Sequence, residues 1–245
     1  MHAHVLPGVD DGPATEAEAW AMLEAAAALG ISHIVATPHY NEAFHAPDET
    51  VAAQVRGVQR LLAERGVALT IIAGREVSFT DRHIEAITRL TALRVGSGAQ
   101  YVLIELVESL NQAAVKEGVF KLLICGVTPI IAHPERNLLV GGSPAFLSEL
   151  RQRGALAQMN AGSVAGTYGK QVQRVAHRLL KERQVDVLSS DAHTPAHYRD
   201  YQTACETVAR EYGVEYLLDI ISRIPARLLN CLPEVGYGQR SPSGF

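Results

Sequence analysis

The chain has little cysteine and lysine, and no apolar run long enough for a membrane. Its three cysteines (Cys125, Cys205 and Cys231) among 245 residues are few and odd in number, which argues against a disulfide framework and for a reducing, cytoplasmic setting. Only four lysines are present, and the formal net charge is −4, so a general nucleic-acid or anionic-membrane binder is excluded. Apolar stretches such as residues 119–124 fall far short of a span, and no signal-peptide pattern opens the chain, so membrane insertion is not expected. No GxxxxGK[ST] phosphate loop occurs, and Gly96-Ser-Gly98 lacks the third glycine of a dinucleotide fingerprint. Against these absences stand 47% hydrophobic residues, enough for one large core, and ten histidines.

Short β-branched runs alternate with longer helical stretches. Residues 32–36, 69–73, 101–106, 129–132, 156–159 and 185–188 read as buried parallel strands. Thr15-Glu-Ala-Glu18 is a capping-box start for an alanine-rich helix ending at Gly30. Further helices are expected over 48–65, 81–90 behind a Thr80 cap, 143–153, 170–183 and 201–212, with two more pieces reaching Leu232. Strands alternating with helices without a break in composition imply right-handed βαβ units in one barrel-like α/β domain. Residues 1–235 form this domain, and 236–245, rich in Gly, Ser and Pro, is expected to be a disordered tail. The first strand has room for three or four residues at most, so a short native leader is expected to be missing there.

The histidines and carboxylates are not scattered. His2 and His4 end the first strand, and Asp10 and Asp11 follow in a Pro-Gly-Val-Asp-Asp-Gly turn. His39, Glu76, Glu105 and His133 fall at or near the ends of the next four strands, and Asp191 and His193 follow the last. In α/β barrels these strand ends converge on one face. A His-x-His pair on a strand points both rings the same way, because side chains alternate with period two. Neutral imidazole and carboxylate without thiolate is the donor set of a hard or borderline divalent metal, and a multinuclear centre is the reading. Among the other histidines, His33, His83 and His177 read as surface or partly packed, while His45 and His197, with Tyr40 and Asn41, lie near enough to touch a substrate.

The segments His-Ala-His-Val-Leu-Pro-Gly-Val-Asp-Asp-Gly (2–12), Ala-Thr-Pro-His (36–39), Gly-Arg-Glu (74–76), Ile-Glu-Leu (104–106), Ile-Ala-His-Pro-Glu-Arg-Asn (131–137), Met-Asn-Ala-Gly-Ser (159–163) and Ser-Asp-Ala-His (190–193) resemble the PHP (polymerase and histidinol phosphatase) superfamily. More narrowly, they are similar to the bacterial manganese-dependent protein-tyrosine phosphatases of capsular and exopolysaccharide loci. The resemblance implies a distorted (β/α)7 barrel, TIM-like and single-domain, with three divalent metals, manganese first and Fe, Co or Zn compatible. It implies that His2, His4, Glu76 and Asp191 hold one metal, and that Glu76 bridges to a second held by Glu105 and His133. Asp11, His39 and His193 would hold the third, and Arg136 and Arg199 would clamp phosphate. The implied partner is a phosphotyrosine protein, the tail of a bacterial polysaccharide-export tyrosine kinase.

The chemistry is consistent with that implication. Three divalent ions outweigh the carboxylates of Asp11, Glu76, Glu105 and Asp191 by about two positive charges, which suits a phosphate dianion. Coordination lowers the pKa of water to about 7, so hydroxide attack in line, without a phosphoenzyme, is expected. Cysteine-dependent tyrosine phosphatases need arginine six positions after the nucleophile, where this chain has Ile131, Glu211 and Tyr237. An amidohydrolase barrel would want lysine on strand four and histidine on strand six, where Glu105 and Asn160 stand. The alternatives are a histidinol-phosphate or other small phosphomonoester phosphatase on the same barrel, and a non-catalytic PHP-like scaffold.

Overall fold

The computed structural model describes residues 1–95 and 100–230, so the expected boundary at 235, the tail 236–245 and Cys231 lie outside the described residues. Among the described residues eight strands run in chain order as β1 (His33–Ala36), β2 (His39–Tyr40), β3 (Thr70–Ala73), β4 (Glu76–Phe79), β5 (Tyr101–Leu106), β6 (Thr128–Ala132), β7 (Leu156–Asn160) and β8 (Val187–Ser189). Every strand pair among them is parallel, with β1 on β3 in one sheet and the order β2-β4-β5-β6-β7-β8 in the other. Between β1 and β2, and between β3 and β4, the chain runs extended with only a two-residue break, so each pair is one kinked strand passing from the first sheet to the second. The β-branched runs mark only the first half of each. The second halves carry His39 and Glu76, which therefore stand on strands and not in the loops after them.

The first strand is reduced to one residue. Ala3 bridges Ala36 on one side and Ala192 on the other, both in parallel sense. Hydrogen bonds from Thr37 N to Ala3 O, His4 N to Ala192 O and Asp191 N to His2 O, each 2.9–3.0 Å, extend this seam a little. The parallel α/β fold is therefore as expected. The ring of strand pairings joins on either side of Ala3 by single bridges and by no longer ladder.

Period-two alternation decides which side chains face inward. On β5, Val102, Ile104 and Leu106 join the large core beneath the helices, whereas Leu103 packs with Tyr101, Ile130, Ala132 and Leu156 in a separate inner cluster. Glu105 therefore shares the inner face with Tyr101 and Leu103. By the same alternation Glu76 lies opposite in sense to the core residues Val77 and Phe79, and Gln158 and Asn160 opposite to Ala157 and Met159. The interior is thus apolar near the strand starts and polar near their ends.

The helices follow their sequence signals. Thr15 caps the helix Glu16–Ala28 with the full capping box, and Thr80 caps Asp81–Arg89. The helix His197–Tyr212 starts four residues before the expected 201, because Pro195 and Ala196 already turn helically. The helix Gln112–Ile124, capped by Asn111, has no counterpart among the expected elements, since its apolar end at 119–124 resembles a short buried strand.

Gly118 lies inside that helix where a Cβ would meet Phe79 Cζ at 2.6 Å and Ile84 Cδ1 at 2.7 Å. Alanine is favoured over glycine by about 1 kcal/mol in an open helix, but overpacking a core costs about 1–3 kcal/mol. Gly118→Ala is therefore expected to lower the melting temperature by about 2–4 °C. A calorimetric scan showing a higher value would contradict the contact.

Candidate metal centre

Glu76 is the first residue of β4 and is 1% exposed. Four imidazoles surround its carboxylate. Oε2 lies 3.3 Å from His2 Nε2, 3.4 Å from His4 Nε2 and 3.1 Å from His39 Nδ1, and Oε1 lies 2.9 Å from His133 Nε2. The register that pairs His39 with Glu76 and Ser78 with Glu105 staggers the ligand-type residues along neighbouring strands. Asp191 and His133 both take positive φ, at 48° and 31°, a conformation uncommon outside glycine that turns the chain sharply at the strand end.

Among the described residues three groups of metal-ligand atoms emerge: His2, His4 and Glu76; Glu76, Glu105 and His133; and His4, Asp11, His39 and His193. Asp191 joins the first through Oδ1, 3.1 Å from His2 Nε2 and 3.4 Å from His4 Nε2. In the third, Asp11 Oδ1 lies 3.3 Å from His193 Nε2 and 3.6 Å from His39 Nε2. Glu105 Oε1 lies 4.0 Å from His133 Nε2, a looser approach. Every residue expected as a ligand is brought into this one cluster.

The donor set fits divalent metal. Ligands held at about 2.1 Å from an ion stand about 3.0 Å apart in an octahedron and about 3.4 Å apart in a tetrahedron. The separations of 3.1–3.4 Å in the first group fall in that range. Asp191 Oδ1 and His39 Nδ1 are buried and face other ligand-type atoms at 3.1–3.4 Å, Asp191 toward His2 and His4 and His39 toward Glu76, the arrangement of atoms gathered around ions.

Neighbouring groups turn the rings. Asp10 Oδ2 lies 2.6 Å from His4 Nδ1 and also accepts the His39 N–H, while its other oxygen takes the Gly12 N–H. Gly12 leaves no room for a side chain there, because a Cβ would stand 2.6 Å from His4 O. His193 Nδ1 donates to Asp191 O at 3.0 Å, which leaves Nε2 facing Asp11. A ligating histidine that donates its second N–H is the usual arrangement around metals. Sequence pattern puts Asp10 in the turn but does not reveal this role. Nor does it reveal Gln158 and Asn160, whose one signal is polar residues at alternate positions of an otherwise apolar strand.

The remaining candidates separate. Arg136 approaches the cluster, with Nη1 3.6 Å from Asp191 Oδ2 and its guanidinium 4.5 Å above the Tyr168 ring. Arg199 is exposed in the first turn of the helix His197–Tyr212 and makes no ion pair among the described residues. His197 accepts the His193 N–H, and Asn41 caps its own loop by accepting from Ala43 N and Phe44 N. His45 is exposed, and Tyr40 packs edge-on against His83, which is itself buried and bonded to Ser78 O.

Buried imidazoles and carboxylates at the ends of parallel strands define a metal-binding α/β protein of the barrel class. The family described as capsular polysaccharide synthesis, CpsB/CapC, matches residues 1–230, and the chain belongs to it. It is similar to the tyrosine-protein phosphatase YwqE of Bacillus subtilis (strain 168), 29% identical over 218 residues that span 88% of this chain and 85% of that one. Among solved structures it is similar to a chain from the crystal structures of YwqE from Bacillus subtilis and CpsB from Streptococcus pneumoniae, described as metal-dependent tyrosine phosphatases. That match has a TM-score of 0.84 and 28% identity, and covers 93% of this chain and 92% of that chain. Dihydropyrimidinase from Brevibacillus agri NCHU1002 shares the fold alone, with a TM-score of 0.59 and 13% identity over 95% of this chain and 70% of that one.

Protonation follows the same geometry. Burial alone would depress the His133 pKa, but the hydrogen bond and charge of Glu76 lift it from 6.5 to about 9. Burial opposes charge on His4 as well, and its bonds to Asp10, Asp191 and Glu76 raise it well above the usual value. Burial would raise the Glu76 carboxyl, yet the imidazoles, His2 first, hold it well below the ordinary range. A histidine raised on folding stabilises below its unfolded pKa and loses that contribution as pH rises through the folded one. The metal-free protein should therefore lose thermal stability between pH 6.5 and about 9. Added divalent metal displaces those protons, so its stabilising shift should grow over the same window. Thermal melts in chelator and in manganese would test this, and a metal-free melting temperature flat with pH would contradict it.

Proposed function

We propose that this chain is a metal-dependent protein-tyrosine phosphatase whose centre is built from His2, His4, Asp11, His39, Glu76, Glu105, His133, Asp191 and His193. The observation that carries the reading is Glu76, which turns Oε2 toward His2 and His4 and Oε1 toward His133, so that one carboxylate serves two adjoining donor groups. Membership of the CpsB/CapC family and likeness to tyrosine-protein phosphatases support the substrate class.

Divalent ions, three in this proposal with manganese first, would supply Lewis acidity and charge to match the phosphate dianion when bound. His2, His4, Glu76 and Asp191 would hold one, Glu76, Glu105 and His133 a second, and Asp11, His39 and His193 the third. Exposure grades across the cluster, from Glu76 at 1% to the side chains of Glu105 at 33%, Arg136 at 39% and Asp11 at 50%. Substrate therefore approaches from the Asp11–Glu105–Arg136 side, while the buried end excludes water. Arg136, its plane supported by Tyr168, is placed to donate to phosphoryl oxygens as charge builds on them. Arg199 is the second arginine of the proposal. The imidazoles and carboxylates of the cluster are turned toward one another in the three donor groups, so in this proposal they serve as ligands and water is the nucleophile, with no phosphoenzyme.

The two described cysteines, Cys125 and Cys205, take no part. Cys125 is exposed, and burial pushes the Cys205 thiol up to about 11, far from a reactive thiolate. Among the described residues no helix is long and apolar enough to cross a membrane. In this reading the substrate is the tyrosine-rich tail of a bacterial polysaccharide-export kinase, met in the cytoplasm.

Purified protein should hydrolyse a phosphotyrosine peptide, lose that activity in chelator and regain it with manganese. A tenfold or greater preference for histidinol phosphate would overturn the substrate class. His133→Ala and Asp191→Ala should abolish turnover with the fold retained, and Arg136→Ala should slow it by about 10²–10³. In a separate test, the Cys125→Ser, Cys205→Ser, Cys231→Ser triple variant should keep full activity. Inactivity of that variant in a folded state would sink the metal-only mechanism.

A further inference from the structure

The motif Met-Asn-Ala-Gly-Ser (159–163) and the glutamate of Ala-His-Pro-Glu-Arg have no part in the reading above. Both lead to a line of amides inside the ring of strands. Gln158 and Asn160 are alternate residues of β7, each 0% exposed, on its inward face. Gln158 Oε1 lies 2.9 Å from His2 Nδ1 and accepts the backbone N–H of His133 at 3.2 Å. Gln158 Nε2 donates to Asn160 Oδ1 at 2.9 Å, and Asn160 Nδ2 donates to Asp191 Oδ2 at 2.5 Å. Glu135 fixes the end of the strand by accepting from Asn160 N at 3.0 Å and from the Ser163 hydroxyl at 2.6 Å.

The direction of every bond in this line is forced, and from both ends. The Asp191 carboxylate can only accept, so the Asn160 atom facing it is the nitrogen. The Asn160 oxygen then faces Gln158 and requires its nitrogen. At the other end the His133 backbone N–H can only donate, so the Gln158 atom facing it is the oxygen. Both constraints give the same orientation. Gln158 Oε1 therefore also faces His2 Nδ1, which must carry a proton, and His2 Nε2 is the nitrogen turned toward Glu76 and Asp191. Turning either amide over would set two acceptors or two donors against each other in a place with no water-facing exit, which is costly for buried polar groups.

We infer that Gln158 and Asn160 are positioning residues that hold His2 in the Nδ1–H tautomer and tie it, through one line of hydrogen bonds, to Asp191 of the same donor group. The inference rests on the reading of that group as a metal site. It assigns to β7, which supplies no ligand, the task of keeping two ligands from opposite ends of the chain in matched orientation. Second partners of ligating histidines commonly affect metal affinity by about 10–100-fold.

The test uses the full chain loaded with zinc, which is diamagnetic, and labelled with ¹⁵N-histidine. In the wild type the His2 proton should reside on Nδ1; a proton on Nε2 would overturn the inference. In Gln158→Glu the acceptor is kept but becomes a carboxylate, so the same proton should move downfield; an unmoved resonance would count against it. Gln158→Leu should bind zinc about tenfold or more weakly in a competition titration. Zinc binding by Gln158→Leu equal to wild type would overturn this inference and leave the metal reading intact. A wild-type chain that binds no zinc would overturn both. If Gln158→Leu does not fold, the wild-type tautomer and the Gln158→Glu shift decide the matter.

Discussion

A carboxylate buried to 1% exposure among four imidazoles is the constraint on which the rest of this structure depends. Glu76 cannot be desolvated without compensation, and the compensation is positive charge, whether protons on the rings or ions between them. The demand reaches outward from there. It needs strands short enough to end together, polar residues on inward faces that are apolar lower down, and neighbours such as Asp10 that present each ring by the correct nitrogen. The apolar inner cluster of Leu103, Ile130 and Ala132 forms the floor under this polar layer.

Much of this is legible in the sequence for a simple reason. Parallel strands buried on both faces read as β-branched runs, and a ligand at the end of each run interrupts the pattern at a regular place. Glu105, His133 and Asp191 can be placed by that interruption alone. The helix at 112–124 cannot, because a run of Val, Phe, Leu and Ile at its end obeys either period. Nor can the second halves of the kinked strands, since β2 has two residues and its pairing with β4 depends on partners far away in sequence. Gln158 and Asn160 are visible as letters but carry no signature of role. A hydrogen bond from β7 to the second residue of the chain is a fact of tertiary structure alone.

The relation between the donor groups and the exposed rim gives the centre its polarity. Its deep end is buried and braced by carboxylate, amide and backbone acceptors. Its shallow end, at Asp11, Glu105 and Arg136, is the part exposed to solvent, where a substrate carried on another polypeptide can reach. The loop behind His39 is held by Arg75, fully buried and donating to Ala46 O and Asp48, with Phe44 stacked on the His39 ring. That loop shapes the rim on one side without entering the cluster.

The seam at Ala3 gives the protein an order of completion. His2 and Asp191 stand side by side, yet they are 189 positions apart along the chain, and they hydrogen-bond to Gln158 and Asn160 in between. Contacts of such long sequence separation are late to form, because the intervening chain must be ordered first. A polypeptide emerging from synthesis thus carries His2 and His4 before it has a centre to put them in. Competence arrives only when β8 has followed and Asp191 has met His2, so a copy halted before β8 can neither hold the full set of ligands nor turn over a phosphate prematurely.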